Sequence, residues 1–403
     1  MSSTINTPIT ARKRGTQQIT TRTDSREILS NARRDIEFHG MEDYFIVDVD
    51  SHHVEFDSWN EVLDHIEDPV IRRNGKTMSA LWPNAKNIAL HHHPAGITYQ
   101  DVHGRIPHQI QLAEDVDTSN GEHRDLTLFR RAIDSMGIDV QIVFPQPMLE
   151  IGLHPNAEME NHLTFAYNRW FTSRILGKDS RIRSMLALPF NSPEACLRMI
   201  REFGETPGVV GFMVSGQRTN GVHRNEYMPV YRELEERGLP LAFHAGPDYS
   251  VARLVNRFVS VHSLSFVTCC MIHLTNWVIN GMPERFPKLN VIWIESGLAW
   301  LPFMMQRLDH EYLMRQSDAP LLKRLPSEYM REMFYTSQPM ERTNLKLLES
   351  TFDAINAETQ LLYASDWPHW DFDTPGSVAT LPFLSEQGKR NILGENARKL
   401  FKL

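Results

Sequence analysis

The sequence predicts an α/β chain folded as a (β/α)8 TIM barrel with a long insertion after its first strand. Three observations carry that expectation. From Phe45 onward, eight short apolar runs alternate with stretches of helical periodicity. Acids and imidazoles recur at the ends of those runs, where a barrel gathers its reactive groups. The first run leads into Asp50-Ser51-His52-His53 and not into a glycine-rich phosphate-binding turn, which argues against a doubly wound dinucleotide-binding sheet.

Taken in order, residues 1–40 are expected to form an N-terminal arm, disordered at its start, and a helix over Asp24–Arg34 that Ser25 can cap. The barrel takes residues 41–403. Its first strand, Phe45–Val49, alternates so that Asp50 and His52 leave its C-terminal end on one side. Residues 54–123 show no regular periodicity and carry Trp82 and the tract His91-His92-His93-Pro94. An interval that long, directly after two candidate ligands, reads as a lid or wall over a site.

A rhythm then sets in. Helices Leu126–Ser135, Ala157–Ile175 and Pro193–Phe203 precede strands Asp139–Phe144, Ser184–Leu188 and Val209–Val214. Helix Met228–Arg237, closed by Gly238, precedes Pro240–His244, and helix Thr268–Asn280 precedes Val291–Glu295. Helix Leu298–Met314 leads to Met333–Thr336, helix Arg342–Phe352 to Leu361–Ser365, and a helix over Asn391–Phe401 ends the barrel.

Composition narrows the partners. The 403 residues carry a net charge of −8 and no basic stripe with interleaved aromatics, so a small molecule and not nucleic acid is the expected partner. No run of about 18 apolar residues suits a membrane span. Cys196, Cys269 and Cys270 are an odd, unspaced set, which reads as reduced core thiols of a cytoplasmic protein.

In this strand assignment Asp50 and His52 end strand one, His244 ends strand five, Glu295 ends strand six and Asp366 follows strand eight. All converge on one face of the barrel. Each has an ordinary structural role open to it: a strand-end histidine is often only hydrogen-bonded, and an aspartate there often caps a helix. The recurrence of Asp50, His52, His244 and Asp366 at matching places points instead to a metal site. Two carboxylates and two imidazoles suit one divalent ion of borderline hardness, Zn2+ or Mn2+, with a position left for water or substrate.

The Asp50-x-His52 pair, His244 in Ala242-Phe243-His244-Ala245-Gly246, the segment Gly281–Leu289, and Ser365-Asp366-Trp367-Pro368-His369 together resemble the amidohydrolase-related family. That family includes the aminocarboxymuconate semialdehyde decarboxylases and the resorcylate-type decarboxylases. The resemblance runs from about Phe45 to the C-terminus. It implies a metal-dependent barrel, commonly a homodimer or higher homo-oligomer, that removes CO2 from a small carboxylated aromatic or dienoic acid. Other members hydrolyse a bond, so a metal-dependent hydrolase of an amide, ester, lactone or C–C bond is the alternative. An acid at Asp50 agrees with the resorcylate-type members. Glu295 departs from the pattern, standing where those decarboxylases have a catalytic histidine.

Asp366, Glu295 and His369 are accordingly the candidate catalytic residues, Glu295 as a proton-moving acid, a base, an extra ligand or a structural acid. By the same resemblance Arg307 matches, within one residue, an arginine that reaches a substrate carboxylate across a dimer; an ion pair with Asp309 or Glu311 is its other reading. His93 and Trp300 complete the candidate substrate contacts, and Trp82, Trp367 and Trp370 are further stacking walls for a planar ligand. A barrel that only binds a ligand remains a third possibility.

Overall fold

Eight parallel strands follow one another around a single sheet in chain order, each hydrogen-bonded to the next. They are β1 Val47–His53, β2 Val140–Pro145, β3 Ile182–Ala187, β4 Val209–Ser215, β5 Leu241–His244, β6 Val291–Ile294, β7 Phe334–Thr336 and β8 Leu361–Leu362. The structure, a computed structural model, describes residues 25–53, 58–81, 116–154, 156–215, 220–246, 251, 254–255, 258–369 and 371–403. The ring closes between its ends. The Val49 N–H donates to the Tyr363 carbonyl at 2.9 Å, the Asp366 N–H to Asp50 at 2.7 Å and the His52 N–H to Trp367 at 2.7 Å. The expected (β/α)8 barrel is therefore the observed fold.

Helices fill the intervals, and their ends are set by local chemistry. Asn156 caps helix Ala157–Arg174 by accepting from the Glu158 and Met159 N–H groups, and Gly137 and Gly238 end their helices with left-handed backbone at φ 63°. Helices Pro193–Phe203 and Met228–Arg237 span the residues read from sequence. The strands' apolar residues, among them Val47, Ile142, Phe212, Phe243, Ile292, Trp293 and Leu361, are fully buried or nearly so.

Four of the differences from the sequence reading bear on the site or the closing of the barrel. Strand β1 runs on to His53, because its polar residues are all buried, Asp50 and His52 at the barrel mouth and His53 against Asp125 and Trp170 of the helix layer. The interval after His53 contains helices Trp59–Asp64 and Pro69–Leu81; residues 82–115 of it, with Trp82 and His91 to His93, lie outside the described residues, as do residues 54–57 and 1–24. The helix expected from Thr268 begins at Phe258. Its first turns are rich in hydroxyls, which read as loop, but Ser263 and Ser265 donate to the carbonyls of Val259 and Val261 four residues back. The last helix is split into a π-turn over Asn391–Glu395 and a helix over Asn396–Phe401. A Cβ at Gly394 would stand 1.9 Å from the Phe45 carbonyl oxygen, so this turn must lie against the first strand without a side chain. No helix among the described residues is long and apolar enough to cross a membrane.

Candidate metal centre

The C-terminal end of the barrel holds a buried polar group built from strands at opposite sides of the ring. In β1 an extra residue interrupts pairing with β2 between Asp48 and Ser51, and this bulge turns Asp50 and His52 into the barrel mouth. His244 is the last residue of β5. Glu295 and Asp366, just past β6 and β8, both adopt left-handed backbone, φ 57° and 60°. Such conformations are uncommon for residues with a Cβ and cluster at functional sites.

Around Glu295 the strain is braced. Its N–H donates to Thr336 Oγ1 at 3.1 Å, and Gly297 two residues on takes φ 70°, where a Cβ would meet Glu341 Oε1 at 2.5 Å. The Glu341 carboxylate in turn accepts from the Leu298 and Ala299 N–H groups at the start of the next helix.

Distances link the side chains into one group. His244 Nε2 lies 3.3 Å from Asp50 Oδ1, and His52 Nε2 lies 3.4 Å from Asp50 Oδ1 and 3.0 Å from Asp366 Oδ1. His369 Nδ1 lies 2.7 Å from Asp366 Oδ1 and 3.9 Å from Glu295 Oε1, while its Nε2 meets Gln146 Oε1 at 2.7 Å. The His244 Nδ1 is 2.8 Å from the Ala245 carbonyl, which can only accept, so that nitrogen carries the proton and Nε2 is left to face Asp50. Two sets of potential ligand atoms result: Asp50, His52, His244 and Glu295, and His52, Asp366 and His369.

Burial makes the arrangement costly without a cation. Asp50, His52, His244, Glu295, Asp366 and His369 are each at most 2% exposed, and no lysine or arginine stands among the buried described residues. Asp50 Oδ2, both Glu295 oxygens and Asp366 Oδ2 meet no hydrogen-bond donor. Burial and then the neighbouring Asp50 charge push the Glu295 carboxyl well up; burial and then Glu295 do the same to Asp366. Burial also raises Asp50, against the lowering influence of His244. Clustered, donor-free carboxylates beside imidazoles fit a divalent cation, which would supply the missing positive charge.

The structure therefore brings together Asp50, His52, His244, Glu295, Asp366 and His369. Trp300 is buried at the start of helix Trp300–Met314, its indole N–H donating to the Gly297 carbonyl at 3.1 Å. Arg307 is not in the group: it is 60% exposed on that helix and pairs with Glu311 at 2.9 Å. His93 and Trp370 lie outside the described residues. Three residues escaped the sequence reading. Gln146 grips His369, Asp48 lies behind Asp50, and Asp371, 3.7 Å from His262, contributes to raising Glu295. A glutamine or a lone acid at a strand end carries no spacing signal that sequence could have offered.

A family model described as Amidohydrolase matches residues 88–403. A gamma-resorcylate decarboxylase of Rhizobium sp. (strain MTP-10005) is 24% identical over 241 residues, covering 56% of this chain and 72% of that protein. Among solved structures, the dihydroxybenzoic acid decarboxylase of Polaromonas sp. JS666, with bound manganese and 2-nitroresorcinol, superposes with a TM-score of 0.61. It is 19% identical and covers 89% of this chain and 97% of its own. The 5-carboxyvanillate decarboxylase of Novosphingobium aromaticivorans DSM 12444, complexed with manganese and 4-hydroxy-3-methoxy-5-nitrobenzoic acid, gives 0.64 at 17% identity, covering 90% and 97%.

Proposed function

The chain belongs to the amidohydrolase family, and from that membership we propose that it is a metal-dependent, non-oxidative decarboxylase of a small carboxylated aromatic acid. The observation that carries this reading is the buried Asp50, His52, His244 and Asp366 group, with its donor-free carboxylate oxygens, at the barrel mouth. The names of the relatives support the reaction class, and the manganese of the two solved structures favours Mn2+ over Zn2+.

A bound divalent ion would supply Lewis acidity for the negative charge that builds as CO2 leaves. Asp50, His52, His244 and Asp366 would hold it, with the Nε2 of His244 unprotonated and available. Glu295, buried beside the residues that would hold the ion and 3.9 Å from His369 Nδ1, is the proton donor of the step. As the bond between ring carbon and carboxyl carbon breaks, its electron pair takes that proton at the ring carbon, CO2 departs, and water reprotonates Glu295. His369, held through Nε2 by Gln146, aligns the acid pair Glu295 and Asp366 from the other side.

Trp300 is the contact for the substrate ring, and Arg307 acts from a neighbouring subunit. Exposed Phe303, Leu313 and Met314 on the helix of Arg307 favour a homodimer or higher homo-oligomer. The three buried cysteines, none in a disulfide, suit a cytoplasmic setting.

A hydrolase is the second reading, favoured by one observation: a buried glutamate with no donor can take a proton from an attacking water. The experiment that tests the first reading feeds carboxyl-13C hydroxybenzoates to chelator-treated protein restored with Mn2+ or Zn2+. Metal-dependent 13CO2 in the headspace supports it, and substrate consumption without 13CO2 overturns it.

A further inference from the structure

Behind the metal group lies a side chain that hydrogen-bonds the backbone of both segments carrying the carboxylates Asp50 and Asp366. Asp48 is fully buried in β1, two residues before Asp50. Its Oδ1 accepts the Asp50 N–H at 3.2 Å and the Ser365 N–H at 2.8 Å. Its Oδ2 accepts the Ser365 hydroxyl at 2.6 Å and the Gln141 side-chain amide at 3.3 Å. Two of those donors are backbone groups of the segments that carry Asp50 and Asp366.

The surrounding backbone explains why this brace is needed. The β1 bulge between Asp48 and Ser51 interrupts the ladder to β2 where Asp50 sits. Across the seam, β8 ends at Leu362, so Ser365 and Asp366 are beyond regular pairing, and Asp366 is in left-handed backbone. The Asp48 carboxylate supplies acceptors to both irregular stretches at once. Ser365 passes the constraint on, its Oγ accepting the Trp367 N–H at 3.0 Å.

We propose that Asp48 is the positioning residue of the metal centre, setting the separation of Asp50 and Asp366 by bridging the β1 bulge to the Ser365–Trp367 segment. The proposal rests on the metal-site reading above and is independent of which reaction the site performs. Residues that orient metal ligands in this way commonly change metal affinity by about 10- to 100-fold when removed.

Its test is Mn2+ affinity of the full chain, measured by calorimetry and by the electron paramagnetic resonance spectrum of the bound ion, at a temperature where each variant is folded. Asp48→Ala should weaken Mn2+ binding by about 10- to 100-fold and broaden the spectrum. Asp48→Asn, which keeps one acceptor for the two backbone N–H groups and can pair with a rotated Gln141 amide, should recover most of that affinity. If Asp48→Ala fails to fold, Ser365→Ala decides, because it removes only the hydroxyl link and should still weaken Mn2+ by about 10-fold. Folded Asp48→Ala with wild-type affinity and spectrum, or, should that variant not fold, Ser365→Ala with wild-type affinity and spectrum, would overturn the proposal. Wild-type protein that binds no divalent ion would instead overturn the metal reading beneath it.

Discussion

His52 and His369 stack face to face, ring centroids 4.3 Å apart and planes 25° from parallel, with Asp366 Oδ1 within 3.0 Å of a nitrogen on each. They come from β1 and from the segment after β8, so the stack lies on the seam where the barrel closes. One carboxylate oxygen thus faces an imidazole assigned to the ion and another assigned to catalysis.

The pair predicts a separation of effects. His369→Ala should lower kcat by about 100-fold or more while leaving metal content near that of the wild type, because Gln146 holds His369 from the side away from Asp366. Steady-state kinetics with metal analysis by mass spectrometry checks this. Equal loss of the ion would make His369 a ligand beside His52 and Asp366.

At the opposite side of the site, His244→Ala and at its centre Asp366→Asn should each lose both ion and activity. A site left short of one donor binds a divalent ion weakly. Dialysed variants that keep full metal content and turnover would dissolve the ligand assignment.

Much of this was readable beforehand, and the limits are physical. The barrel was legible because buried parallel strands are apolar runs and their helices carry caps such as Gly238. Asp50, His52, His244 and Asp366 were legible because each follows such a run. The extension of β1 from Asp50 to His53 was hidden, since a strand whose polar residues turn into a site loses the apolar signature. Gln146 and Asp48 were hidden too: they act through contacts made across the ring, which no local pattern encodes. Left-handed backbone at Glu295 and Asp366 is likewise imposed by tertiary bracing, such as the Thr336 hydroxyl on the Glu295 N–H.

Glu295→Gln tests the proton step. Glutamine fills the same space without a transferable carboxyl proton, so kcat should fall by about 100- to 10,000-fold with the ion retained. Unchanged turnover, measured on whichever acid the wild type consumes, would show that Glu295 is structural.

Stability should depend on pH in an unusual direction. Burial pushes Asp48 up to about 7 and Asp373 up to about 6, and raises Asp50, Glu295 and Asp366 as well. Between about pH 4 and pH 7 the metal-free folded chain therefore holds protons that the unfolded chain, with ordinary carboxyls, has released. That contribution is present below the unfolded values and is lost as pH rises through the folded ones. An ion competes with the same protons, so its stabilisation should grow with pH. Thermal melts of chelator-treated and Mn2+-loaded protein should show a Tm gap that widens from about pH 5 to pH 8. A gap that narrows would contradict the shared carboxylates.

The most direct measurement of the central claim is mass spectrometry of a hydroxylated benzoate, and in parallel of its ester and amide, treated with the Mn2+-loaded enzyme in deuterated, 18O-enriched water. The account predicts a product short by one CO2, with one deuterium on the carbon that carried it and no 18O. A product that retains its carboxyl and carries 18O would contradict the decarboxylase and make the site a hydrolase.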